Sequence, residues 1–188
     1  YGTWENGYTG AGMRIAVIDT GLNLDHPSFD PAAYDYALGQ EQGSWDLLDQ
    51  EEIAQVLPRL TIAQDGLTAA DLYRNTKVAF GYNYVDGDLD ITHDHDSAGD
   101  HGTHVSGIAT ANRYVPKDGG FASAAETVLA CGVAPEAQLL VMKVFGKNGG
   151  AYADDYMAAI QDAISLGCDA INLSLGSNSP GFVDPAGS

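Results

Sequence analysis

The stretch DHGTHVSGIAT, Asp100 to Thr110, places His101 and His104 three residues apart among residues with almost no bulk. His93, Asp94, His95 and Asp96 lie just upstream. Imidazoles and carboxylates this dense allow three kinds of chemistry. Histidines three apart on one helix can share a face, so a transition-metal site is one option. Against it, HExxH is absent and THDHDSAGD reads as a solvated acidic loop. Calcium in some acidic loop is a second option, since hard cations want clustered oxygens. The third is a proton relay, in which one histidine acts as base and a carboxylate orients it.

A carboxylate for that relay lies well upstream. Asp19 closes the run Ile15 to Ile18 in RIAVIDTGL, apolar and largely β-branched, as expected of a strand covered on both faces. A charge at such a strand end is desolvated and needs a partner. Carboxyl ends of parallel strands are also where open α/β sheets place their active sites. Asp19 can accept the Nδ1–H of a histidine delivered by a helix N-terminus, which leaves Nε2 free as base. Blander roles stay open: a turn-former before Gly21 for Asp19, and a capping or packed histidine for His101. Nucleotide chemistry is excluded by position. Gly10-Ala11-Gly12 precedes its strand, where a dinucleotide-binding loop must follow it, and there is no P-loop.

The elements that must hold these groups alternate between strand and helix. QLLVMKVF (Gln138 to Phe145) and DAINLSLG (Asp169 to Gly176) read as further buried strands. Between them Ala153, Met157, Ile160 and Ile164 recur at helical spacing as one apolar stripe. Asp154 and Asp155 sit in the first turn of that helix, and Gly167 follows as its C′ residue. Strand, helix, strand with short loops is a βαβ unit, so an α/β fold with a mainly parallel sheet is expected. His101 to Arg113 reads as another helix, kept slim by Gly102, Ser106 and Gly107. Residues 30–75 carry polar, helical material with Thr68 as an N-cap, and 113–130 form a loose loop. Both are expected to be surface insertions on a single domain.

Composition narrows the function classes. A chain of 188 residues with 26 acidic and 8 basic side chains carries a formal charge of −18, which offers no cationic footprint for nucleic acid. No apolar run reaches the roughly 18 residues of a membrane span. No export signal opens the chain at Tyr1, so it is expected to be mature or trimmed. Cys131 and Cys168 make no disulfide framework and read as two small buried thiols.

Four segments, in order, resemble the subtilisin-like serine proteases, the subtilases. They are GYTGAGMRIAVIDTGLNLDHPSF, HGTHVSGIAT, GVAPEAQLLVMKVF and DAINLSLG, and the likeness runs from Trp4 to Gly176. VAFGYNYVDGD, within the long connection between the first two, resembles the lactocepin and C5a-peptidase branch of bacterial cell-surface subtilases. The resemblance implies a three-layer subtilisin-like fold, incomplete because the C-terminal part is absent. It implies Asp19 as catalytic aspartate and His101 as general base, with His104 a packed neighbour outside the triad. Ser174, Leu175 and Gly176 would line the specificity pocket and pair with substrate, and Gly149 and Gly150 would form the opposite substrate strand. The partner implied is a polypeptide held extended between two edge segments. An extracellular or cell-surface location in bacteria is implied as well.

Two departures from the family pattern matter. Ser28 stands where many subtilisins carry an aspartate for structural calcium, so no metal residue is assigned; calcium stays unlocated and no cofactor is implied for catalysis. More seriously, the twelve residues after Gly176, SNSPGFVDPAGS, hold neither a GTSMA-like nucleophile motif nor the oxyanion asparagine. Ser174 belongs to the pocket strand, and Ser177, Ser179 and Ser188 lack a helix-opening context. The expectation is the N-terminal part of a subtilase catalytic domain, inactive alone, with an open sheet edge available for self-association. The alternatives are a protease-like peptide-binding module that never had a nucleophile, and an acidic calcium-binding surface domain.

Overall fold

Arg14 to Asp19 is extended because its apolar side chains find cover on both faces. The computed structural model describes residues 2–41, 43–94, 96–127 and 130–176. His95, Ser177, Ser179 and Ser188 lie outside the described residues. In chain order the described part holds α1 (Gly2–Glu5), β1 (Arg14–Asp19), α2 (Pro31–Gln40), α3 (Gln50–Val56), α4 (Ala69–Leu72) and β2 (Val78–Asn83). Then come α5 (His101–Thr110), β3 (Tyr114–Lys117), β4 (Gly120–Ser123), β5 (Gln138–Lys143), α6 (Ala153–Ser165) and β6 (Ala170–Asn172).

Strands β2, β5, β1 and β6 form a parallel sheet in that spatial order. The register sets Asp19 of β1 opposite Lys143 of β5. Alternate residues of β1 serve two cores. Ala16 and Ile18 pack with Leu48, Ile53, Leu72, Ala159 and Ala163, from α3, α4, α6 and the chain before them. Val17 packs on the other side with Leu22, Phe29 and Ile91, and Val105 of α5 lies against that group. Two helical layers around a sheet is the α/β arrangement the patterning predicts.

Several local expectations need correction. The apolar stripe assigned to α6 is not its buried face: Met157 and Ile164 are 51% and 66% exposed, while Ala159, Ala163 and Leu166 enter the core. A buried acid disguises the true stripe. Asp162 is fully buried and accepts hydrogen bonds from Thr61 N (2.7 Å), Thr61 Oγ1 (2.8 Å) and the Tyr84 hydroxyl (3.0 Å). Three donors let a carboxylate occupy an apolar face, although burial still pushes its pKa up. The segment 113–130 is no loose loop at its start, because β3 and β4 pair as an antiparallel hairpin. Asp118 (φ 51°) and Gly119 (φ 80°) turn it with the two positive φ values that an Asp-Gly hairpin favours.

Helix α5, expected to reach Arg113, ends at Thr110. There Asn112 N–H donates to Ser28 O and Gly132 N–H to Ala111 O, each at 2.8 Å. A Cβ on Gly132 would lie 2.4 Å from Ala111 N, so only glycine permits this approach. The strand expected over Asp169 to Gly176 is regular only from Ala170 to Asn172. Both cysteines are free and partly buried, and burial pushes the Cys168 thiol up to about 12.

At the opposite end of the sheet from Asp19, just before β2, Lys77 is fully buried. Its ammonium donates to the carbonyls of Pro135 (3.0 Å) and Ala137 (2.8 Å) and sits 4.9 Å from the Tyr34 ring centroid. Burial nevertheless brings its pKa down to about 7, against about 10.4 in an unfolded chain. Above pH 7 the unfolded chain therefore holds a proton that the folded chain has released, and stability rises with pH. The contribution is lost again as pH falls toward 7. Between about pH 7 and 8.5 the share of the slope due to Lys77 should rise from about 0.7 toward about 1.4 kcal/mol per pH unit. The two cysteines, half-ionised at about pH 8.5 when unfolded, subtract the same amount with or without Lys77. Urea melts of the wild type and Lys77→Met across this window should therefore differ in slope by that share. Equal slopes would mean that the carbonyls and the Tyr34 ring hold the charge.

Candidate active site

The sheet brings the end of β1 and the start of α5 together. Asp19 is 1% exposed, and its Oδ1 accepts from Thr20 N (2.7 Å) and lies 2.8 Å from His101 Nδ1. An ionised carboxylate only accepts, so Nδ1 carries the proton and Nε2 keeps its lone pair. The His101 side chain is 50% exposed, so this lone pair can be offered to a group arriving from outside. A buried acceptor, an oriented imidazole and an accessible Nε2 can together take and return a proton.

The residues around this pair make the contact tight. Thr20 Oγ1 donates to Gly99 O (3.0 Å) and accepts from Gly102 N–H (2.8 Å), binding both ends of the turn into α5. A Cβ on Gly102 would lie 2.4 Å from Gly21 O, so the helix rests directly on the Thr20–Gly21 backbone. Gly21 itself has φ 110°, and a Cβ there would meet Ile91 O at 2.3 Å. Gly107 plays no such part, since a Cβ on it would meet nothing within 4 Å.

Sequence reasoning missed Thr20 and Lys143. The Lys143 Nζ donates to Thr20 O (3.0 Å) and to Asp96 Oδ2, and both charged side chains of that pair are buried. Its position opposite Asp19 was concealed in a strand that is otherwise apolar after Gln138. The one available signal was a lone lysine inside QLLVMKVF.

The remaining candidates separate. His104 is exposed, not packed as expected, and lines a cavity of about 250 Å³ with His26, Ser28 and Phe29. Within the described part of the run from His93 to His104, His101 pairs with Asp19 and Asp96 with Lys143. Among the described residues no group of three or more histidine, cysteine or acidic side chains is placed to hold a metal ion. Leu175, Gly176 and Gly149 line one cavity of about 680 Å³ with Phe145, Tyr156 and Ile160. Ser174 and Gly150 do not line it; Ser174 Oγ instead donates to Asn172 Oδ1 at 2.9 Å. Gly149 has φ 76°, and a Cβ on it would lie 2.6 Å from Ser97 Oγ, which brings the cavity loop against the segment leading into His101.

The family model Peptidase_S8, described as the subtilase family, matches residues 10–188. The chain belongs to the subtilase family. This subtilase is 35% identical over 181 residues to a PI-type proteinase of Lactococcus lactis subsp. cremoris, covering 94% of this chain and 8% of that protein. It is 34% identical over 174 residues to a C5a peptidase of Streptococcus pyogenes, covering 92% of this chain and 13% of the relative. A minor extracellular protease, Vpr, of Bacillus subtilis (strain 168) is 29% identical over 180 residues, covering 93% and 15%. The subtilase chain thus spans less than a sixth of these relatives' lengths. PI-type proteinases and C5a peptidases are the branch that VAFGYNYVDGD resembles. Among the described residues of this subtilase no helix is long and apolar enough to cross a membrane.

Proposed function

We propose that this chain is part of the catalytic domain of a bacterial extracellular or cell-surface serine endopeptidase. The observation that carries this reading is the 2.8 Å contact between His101 Nδ1 and the buried Asp19 Oδ1, with the imidazole open to solvent. In the proposed reaction a serine downstream of Ser188 attacks the scissile carbonyl. Nε2 of His101 takes the hydroxyl proton and later gives it to the leaving amine, and Asp19 stabilises the imidazolium. Water then attacks the acyl-enzyme with His101 again as base. The substrate is an extended polypeptide lying between residues 149–150 and 174–176. The largely apolar cavity of Leu175, Phe145, Tyr156 and Ile160 supports a place for one bulky apolar substrate side chain.

The 188 residues alone supply the base and its orienting acid, without a serine in a nucleophile context. They are expected to show no turnover of a fluorogenic peptide library, and cleavage abolished by His101→Ala would overturn that division of labour. The reading itself is tested on the polypeptide encoded past Ser188, treated with a serine-directed fluorophosphonate. One serine should be labelled, and His101→Ala should prevent it. No labelling would point instead to a peptide-binding module.

A further inference from the structure

The segment from Asp96 to Asp100 carries His101 into place but contains no helix or strand, and Gly99 turns it with φ 65°. It is held from outside at a few points. Thr20 grips Gly99 O and Gly102 N–H, and Ser97 N–H donates to Lys147 O at 3.2 Å. The remaining hold is of a different kind. Asp96 meets the ammonium of Lys143, with both side chains almost fully buried.

We propose that Lys143 and Asp96 are positioning residues, an ion-pair latch that holds His101 in register with Asp19. Lys143 is the cross-strand partner of Asp19, so its stem is anchored at the strand end that presents the acid. The same ammonium donates to Thr20 O at 3.0 Å, the residue directly after Asp19. One cation therefore ties the exit of β1 to the entry of α5. The hydrogen bonds through Thr20 are neutral and wholly or partly buried, each worth about 1 kcal/mol, whereas a buried charge left without its partner cannot stay where it is. Removing either member frees the other to seek solvent, and the segment bearing His101 moves with it. Because Ser97 also touches the Gly149 loop, the latch joins the relay to one wall of the cavity. The inference rests on the relay reading of Asp19 and His101.

Imidazole NMR on this chain tests the latch without needing turnover. The wild type should show His101 as a single Nδ1–H tautomer with a protected ring proton. Asp96→Asn and Lys143→Met should each raise exchange of that proton about tenfold or more, the scale of losing a charge-assisted hydrogen bond. Asp96→Glu, which keeps the charge, should retain most of the protection. Glu52→Gln, which breaks the Arg14 pair at the other end of β1, should leave the His101 signal unchanged. If Asp19→Asn leaves the signal intact, the relay reading fails. If Asp19→Asn abolishes it while folded Asp96→Asn and Lys143→Met do not alter it, the latch alone fails. Should those two variants not fold, amide exchange of the wild type decides. Ser97 and Gly102 amides should open together as one unit, and independent opening would overturn the proposal.

Discussion

If the longer polypeptide has the proposed peptidase activity, Asp19→Asn is expected to lower its kcat about 10⁴-fold while leaving KM nearly unchanged. The scale is that of subtilisin, itself a member of the family, where losing the aspartate costs about 3 × 10⁴ and losing the histidine about 2 × 10⁶. The reason for a large effect here is geometric. Asp19 Oδ1 is the acceptor that fixes the proton of His101 on Nδ1. An asparagine can turn its NH₂ toward the ring, which favours the other tautomer and leaves Nε2 protonated and unable to act as base. KM should hold because Asp19 is buried and out of reach of the peptide. Steady-state kinetics on a peptide anilide would read both constants. A loss in kcat below about tenfold would mean that Asp19 does not orient the base.

The second large effect concerns the fold under the site. Gly102→Ala is expected to destabilise the protein by about 3 kcal/mol or more, at the upper end of overpacking costs. The new methyl would sit 2.4 Å from Gly21 O and 2.9 Å from Gly21 N, and both are backbone atoms that cannot rotate away. Relief requires α5 to lift off the Asp19–Thr20–Gly21 turn, which also draws His101 from Asp19. Gly107→Ala lies five residues further along the same helix and meets nothing within 4 Å. It should be neutral or stabilising by about 0.5–1 kcal/mol, from helix propensity. Urea melts of the pair separate the two cases, and equal midpoints would show that α5 does not rest on the turn.

The regular parts of the fold were legible because their periods are local. The apolar run ending at Asp19 and the second one before Phe145 became adjacent parallel strands. Thr68 caps α4 through a capping box with Asp71, as its residue type suggested. The misreadings have particular causes. The face of α6 was misplaced because its buried side includes Asp162, a polar residue satisfied only by Thr61 and Tyr84 from elsewhere. The hairpin at Tyr114 was passed over although Asp118-Gly119 announces it, because Pro116 and two glycines suggested loose chain.

By itself the sequence determined that a carboxylate closes a buried strand, that a small-residue helix opens at a histidine, and that the order of motifs is that of a subtilase. Residue types and spacing alone left two histidines and several acids competing for the role of partner, and the family resemblance singled out Asp19 and His101. The contact between those two belongs to the tertiary structure alone. Asp19 and His101 stand 82 positions apart, and a contact across that distance leaves no mark in local periodicity. Strand order and the bare backbone at Gly102 close the gap, because a helix without a Cβ at that point can lie on the turn that follows Asp19. Lys143 gained its place in the same way. A lysine in an apolar strand has no evident purpose until the fold sets it opposite Asp19 and against Asp96.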